Sequence, residues 1–147
     1  MNVICYYFLL TKINIQTMSN RDQNLKSLRP LISTISEENI TSDSEHFQNK
    51  TLRPILKLQH DLLIQIFQQY TIHRKNVFQK LSPEEKLKYI EKNIRKDLTF
   101  RSLLIGTVVG HFTLDEFKIY TQNESELRKR LINMLIERIK KSILITL

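Results

Sequence analysis

The chain has no alanine and no tryptophan, and its 147 residues include only two glycines, three prolines and one cysteine. Each scarcity excludes something. A lone thiol, Cys5, cannot build an internal disulfide framework or a zinc site made of several cysteines, and it fits a reducing compartment. With glycine at only Gly106 and Gly110, there is no phosphate-cradling G-x-x-x-x-G-K-[ST] loop and no dinucleotide fingerprint; G-x-S-x-G and H-E-x-x-H are absent too. The longest apolar runs, Val3–Leu10 and Leu103–Gly110 with its single threonine, reach eight residues. A membrane-spanning helix needs roughly 20. No transmembrane segment and no cofactor are therefore expected.

What is abundant explains part of what is missing. There are 19 isoleucines, 14 lysines and ten asparagines. Alanine is the best helix former, so its absence from a helical chain serves no physical purpose. Codon bias accounts for it: alanine, glycine and proline codons are GC-rich, and those of isoleucine, lysine and asparagine are AT-rich. The composition points to an AT-rich genome such as that of an organelle or endosymbiont. Lysine plus arginine outnumber the acids by 23 to 15, for a net charge of +8, and the excess lies beyond residue 50. A basic folded part is compatible with nucleic acid, ribosomes, anionic membrane or an acidic protein.

The first 51 residues read as a poorly ordered, neutral arm. Val3–Leu10 is apolar and aromatic, but no basic stretch precedes it and no small-residue cleavage site follows. It does not read as a secretory signal, nor does it have the Arg- and Ser-rich look of a transit peptide. It is either a strip that docks on the body or upstream of the true start, with Met18 as the alternative initiator. Leu25, Leu28, Leu31, Ile32 and Ile35 supply an amphipathic turn or two, interrupted by Pro30. Ser33–Asn49, with four serines, two threonines and four acids, reads as a linker.

From residue 52 to 147 the pattern is helical. Ile55, Leu58, Leu62, Ile66, Tyr70, His73, Val77 and Leu81 recur at steps of three and four, which predicts one helix of about seven turns from Pro54, widened by Leu63, Phe67 and Phe78. Ser82-Pro83-Glu84-Glu85 is a capping box, opening a helix that presents Leu87, Ile90 and Ile94. Leu98–Val109 is a further apolar helix. It is expected to cross a neighbour closely at Gly106 and to stop at a left-handed Gly110. Thr113-Leu114-Asp115-Glu116 is a second capping box, with Phe112 and Phe117 as a hydrophobic staple. A last helix runs from Asn123 to about Leu144, with acid-first pairs Glu124–Arg128, Glu126–Arg130 and Glu137–Lys141. The fold expected is all-α: a compact bundle of four or five helices.

On a helical wheel the last helix carries an apolar arc of about 200°, wider than a surface helix needs. It either sits centrally among neighbours, the preferred reading, or leaves part of the arc for a partner. Ile136, Ile139, Ile143 and Leu144, with the tail to Leu147, are the candidate partner-binding residues. Arg128, Lys129, Arg130, Lys140 and Lys141 on the other side are the candidate contacts to nucleic acid or ribosome. The four histidines have no metal-ligand spacing: His60 and His73, 13 residues apart, fall about 140° from eclipse on one helix. His111 beside Gly110 fits a helix-end role. The acids are nearly all accounted for as caps or surface pairs, and no catalytic constellation remains.

The block Leu98-Thr-Phe-Arg-Ser-Leu-Leu-Ile-Gly-Thr-Val-Val-Gly-His-Phe-Thr-Leu-Asp-Glu-Phe, followed by Asn123-Glu-Ser-Glu-Leu, resembles short uncharacterised reading frames of red-algal plastids and cyanobacteria. The resemblance spans residues 52–145 and carries no catalytic motif. It implies a soluble, organelle-encoded protein of the plastid stroma and no particular activity. The function expected is a non-enzymatic interaction module that binds an unknown protein or a second copy of itself. The alternative is a basic nucleic-acid- or ribosome-binding protein.

Overall fold

The computed structural model describes residues 20–32 and 42–146, and every regular element among them is helical. A first helix, α1, covers 20–27. Then come α2 (Asp43–Phe47), a π-helical turn (Gln48–Leu52), α3 (Arg53–Leu58), α4 (His60–His73), a 3₁₀ turn (Val77–Lys80), α5 (Pro83–Lys96), α6 (Leu98–Val109), α7 (Leu114–Gln122) and α8 (Glu124–Thr146). The all-α expectation holds, but a bundle of four or five helices undercounts: seven α-helices lie between Asp43 and Thr146. Among the described residues no helix is long and apolar enough to cross a membrane. Cys5, the Val3–Leu10 strip, Met18 and residues 33–41 lie outside the described residues.

The undercount has two local causes. The single long helix expected over 54–81 is cut at Gln59, where the backbone leaves helical geometry, and again after His73. At the second cut Lys75 and Asn76 adopt left-handed φ values of 57° and 54°. Asparagine tolerates that conformation, and lysine is held there at some steric cost. The chain then re-enters as the 3₁₀ turn, which buries Phe78 between Phe67 and Tyr89. The second cause is the serine- and acid-rich stretch before residue 50. Ser42 accepts the Glu45 amide hydrogen at 3.2 Å and starts α2. Phe47 and Leu52 enter the core, so the packed body begins about ten residues before position 52.

The capping boxes form as their chemistry requires. Ser82 Oγ accepts from the Glu85 amide while Glu85 accepts from the Ser82 amide at 2.9 Å, and Thr113 and Glu116 repeat the exchange. Asp97 ends α5 and caps α6 by accepting the Phe100 amide at 3.0 Å. Three finer expectations fail. Gly110 is right-handed, and the chain leaves α6 through a tight turn, with no left-handed stop. Gly106 is exposed and its Cβ position has no neighbour within 4 Å, so no helix crosses there. Phe112 packs edge-on against Phe47 and Tyr120, leaving Phe117 45% exposed where a staple would have covered it.

The core gathers around α8, which packs against α4, α5, α6, α7 and the π turn. Leu127, Leu131, Leu135, Ile136 and Ile139 are all fully buried there. The wide apolar arc of this helix is thus consumed by neighbours on several sides. Each such leucine removed from water contributes about 1.5–3 kcal/mol.

The N-terminal segment is held by polar contacts. Leu28 and Leu31 are exposed, and Arg29 is the residue that buries. Its guanidinium grips both Glu116 oxygens, at 2.6 and 2.7 Å, and donates to the His111 carbonyl at 2.8 Å. Thr51 adds a hydroxyl donor to Glu116 at 3.1 Å. Arg21 reaches the Phe112 carbonyl and Asp22 accepts from the Leu114 amide. Burial pushes the Glu116 carboxyl up, but the hydrogen bonds from Arg29 and Thr113 and the Arg29 charge outweigh it and hold the group below its ordinary value. Residues 20–32 are clasped to the α6–α7 turn through this ion pair.

Candidate functional site

Part of the apolar stripe expected over 54–81, namely Ile66, Tyr70 and His73, lines an open groove. Leu63, Phe67 and Thr71 face inward on α4, while Ile66, Gln69, Tyr70 and His73 line the side towards α6. Opposite them stand Asp97, Thr99, Phe100 and Leu103. The cleft between the two helices has a volume of about 560 Å³. Leu103 is about half exposed on this side, at 55%.

The floor of the groove is an aromatic stack. The Tyr70 and Phe100 rings lie 3.9 Å apart and nearly parallel. Tyr70 Oη sits 2.9 Å from Asn93 Oδ1 and 3.1 Å from Asp97 Oδ2, so its one proton serves one acceptor at a time. Arg74 closes the end: Nη2 is 2.5 Å from Asp97 Oδ2, and the guanidinium carbon is 5.1 Å from the Tyr70 ring centre. His73 Nε2 accepts from the Gln69 amide nitrogen at 3.0 Å.

The electrostatics move the Tyr70 and Asp97 pKa values further from neutral pH. Burial pushes the Tyr70 phenol up to about 12, helped by its hydrogen bond to Asp97 and by the Asp97 charge. The Phe100 amide, against an opposing effect of burial, and then Tyr70 and Arg74 hold the Asp97 carboxyl below its ordinary value. At neutral pH Tyr70 keeps its proton, Asp97 keeps its charge, and Arg74 neutralises that charge. A general acid or base works best with a pKa near the operating pH. Tyr70 is moved above that range and Asp97 below it.

The residues singled out on α8 are placed differently. Ile136 and Ile139 are in the core, 1% and 0% exposed, and cannot touch a partner because α8's neighbours already cover them. Ile143 is partly buried against the same core; Leu144 and Ile145 are the exposed apolar residues at that end. Leu147 lies outside the described residues. On the basic side, Arg128 pairs with Glu124 at 3.5 Å, Arg130 with Glu126 at 3.0 Å and Lys140 with Glu91 at 2.7 Å. Glu137 turns to Lys140, at 3.9 Å, where Lys141 had been expected. Lys129 and Lys141 are exposed and make no ion pair among the described residues, but they stand 12 positions apart, about 120° around the helix. The structure does not bring these five cations into one track.

His111 keeps its helix-end role: Nδ1 sits 3.0 Å from the Thr107 carbonyl and Nε2 2.8 Å from the Gln59 amide nitrogen. Among the described residues no group of histidine, cysteine and acidic side chains could hold a metal ion. The groove residues left little trace in the sequence. Tyr70 and His73 lay in the apolar stripe, and Asp97 marked only a helix end. Their meeting depends on a contact between chain positions 23 to 30 residues apart, which periodicity does not encode. No family model, curated protein or solved structure matches this chain.

Proposed function

We propose that this protein is a non-enzymatic interaction module and that the α4–α6 groove receives an amphipathic helix of a partner protein. The observation that carries the reading is the open cleft of about 560 Å³ with an apolar floor and a self-neutralised rim. Ile66 and Tyr70 are one helical turn apart on one wall, and Phe100 and Leu103 are similarly spaced on the other. A helix laid between them buries anchors spaced three and four apart, the usual helix-in-groove arrangement. Because Arg74 and Asp97 satisfy each other, apolar anchors and not a net charge are what the groove selects. The AT-biased composition and the resemblance to plastid reading frames support the plastid stroma as its compartment.

The test compares wild type with Leu103→Glu, in the groove, and Leu144→Glu, at the far exposed end of α8. Light scattering and quantitative capture from organelle lysate are read together. The expected result is a partner, or a second copy of the chain, held by wild type and Leu144→Glu and lost by Leu103→Glu. A strictly monomeric protein with the same capture profile in all three forms overturns the proposal.

A further inference from the structure

A second site stands apart from the groove, where α3 and the start of α4 meet α8. Arg21, Arg29, Arg74, Arg95, Arg128 and Arg130 each face a carboxylate. Arg53, Arg101 and Arg138 do not, and of these Arg101 donates instead to the Arg95 carbonyl. Arg138 is partly buried, and its Nη1 lies 3.4 Å from His60 Nδ1. Burial, and then the nearby charge of Arg53, lower the Arg138 guanidinium from its ordinary pKa. Lys57 follows Arg53 by one turn on α3, and Lys141 follows Arg138 by three residues on α8; both are exposed. None of these four cations makes an ion pair among the described residues. Asp61, next to His60, is exposed and pairs with none of them, and Glu137 turns to Lys140.

Removing a cation from water without supplying a counter-charge is costly, and bringing a second cation near it adds to the cost. Folding here has done both, in a chain that places carboxylates beside six other arginines. A bound anion would offset the cost. We propose that the seam formed by Arg53, His60 and Arg138, flanked by Lys57 and Lys141, binds the oxyanion of a phosphate ester. Two guanidiniums offer more parallel donors than one carboxylate can accept, whereas a tetrahedral phosphate presents three oxygens to them. With Nδ1 accepting from Arg138, the imidazole proton resides on Nε2 and is available as a further donor.

A phosphoryl oxyanion occurs both in a small phosphorylated molecule, with three free oxygens, and in a nucleic-acid backbone, with two per phosphodiester, so the test has two arms. Inorganic pyrophosphate and a single-stranded RNA oligonucleotide are titrated separately into the full chain at low salt. The arginine side-chain N–H and histidine ring resonances are followed by NMR. Saturable shifts of Arg138 and His60 are expected. Arg53→Gln, an exposed change that leaves the core intact, should weaken binding about tenfold, and Arg138→Gln at least as much. Lys129→Gln, on another face of α8, should leave it unchanged. Saturation by RNA alone identifies a polynucleotide backbone as the source of the phosphate. Saturation by both probes identifies the phosphate group itself. Either result supports the site. No saturable shift with either probe overturns it, as does an equal loss in Lys129→Gln and Arg53→Gln, which marks diffuse attraction to a basic protein.

Discussion

Helices α4 and α8 carry the same kind of signal and meet different fates. Each has large apolar residues at steps of three and four over most of its length. Around α8 there are four helices and the π turn, and Leu127, Leu131, Leu135, Ile136 and Ile139 of its arc are closed from water. On α4 the inward face, Leu63 and Phe67, is equally closed, but the neighbouring face of Ile66 and Tyr70 borders the open cleft towards α6. Spacing records that a face is apolar. The number of neighbours that fold against it decides whether that face becomes core or surface. An exposed apolar face among the described residues is therefore on α4 and α6, and the buried part of the α8 arc is structural.

The sharpest way to break that comparison is to truncate one residue from each side. Leu131→Ala opens a void in the packed centre of the fold and should cost about 3 kcal/mol. Leu103→Ala, half exposed at the groove, should cost under about 1 kcal/mol. Urea denaturation of both variants measures the difference. Equal losses would mean that the groove is closed in solution and belongs to the core.

A smaller effect separates the apolar body from the polar clasp on residues 20–32. Arg29→Met leaves Glu116 with its Thr113 and Thr51 partners but without its counter-charge. The full penalty of a broken buried pair is not expected, because residues 20–32 can lift away and let water reach the carboxylate. About 2 kcal/mol, seen as faster proteolysis near residue 30 with the body intact, is the expected outcome. Acid should imitate the variant. The Glu116 pKa is lowered in the folded chain, so its contribution is complete above the ordinary value of 4.5 and is lost as pH falls below it towards the folded value. Proteolysis rates of wild type and Arg29→Met should converge in that acidic window. A constant gap from neutral to acid pH would count against the ion pair as the clasp.

Much of the fold was legible because its signals are local. Ser82 with Glu85, Thr113 with Glu116, and the acid-first pairs on α8 act over three or four residues, and all but the Glu137 pair form as spaced. The break at Gln59 and the left-handed turn at Lys75–Asn76 were not legible, because nothing in the apolar period marks them. The burial of Arg29 was hidden for a related reason: an arginine in a polar stretch reads as solvated until its partner, 87 residues away, is known. The groove and the basic seam are hidden more deeply. The groove is a property of two helices and the seam of three, and a wheel drawn for one helix cannot show which face a distant segment will cover.

The smallest effect tests the groove from inside. Tyr70→Phe keeps the ring stacked on Phe100 and removes only the hydroxyl. Asp97 retains the Phe100 amide and Arg74, so the loss falls mainly on the hydrogen bond shared with Asn93. At this half-open position it should amount to about 1 kcal/mol at neutral pH. The phenol's raised pKa adds a second readout. With its folded value pushed up to about 12 from an ordinary 10, Tyr70 contributes fully below pH 10 and loses that contribution as pH rises from 10 through 12. The stability gap between wild type and Tyr70→Phe, read from urea midpoints, should therefore shrink across that alkaline range. Tyr89 and Tyr120, whose phenols burial also raises, are common to both proteins and cancel in the comparison. A gap that stays constant would show that the phenol does not hold its proton against Asp97. The groove floor would then be a ring stack alone, with no polar anchor fixing Tyr70 for a partner.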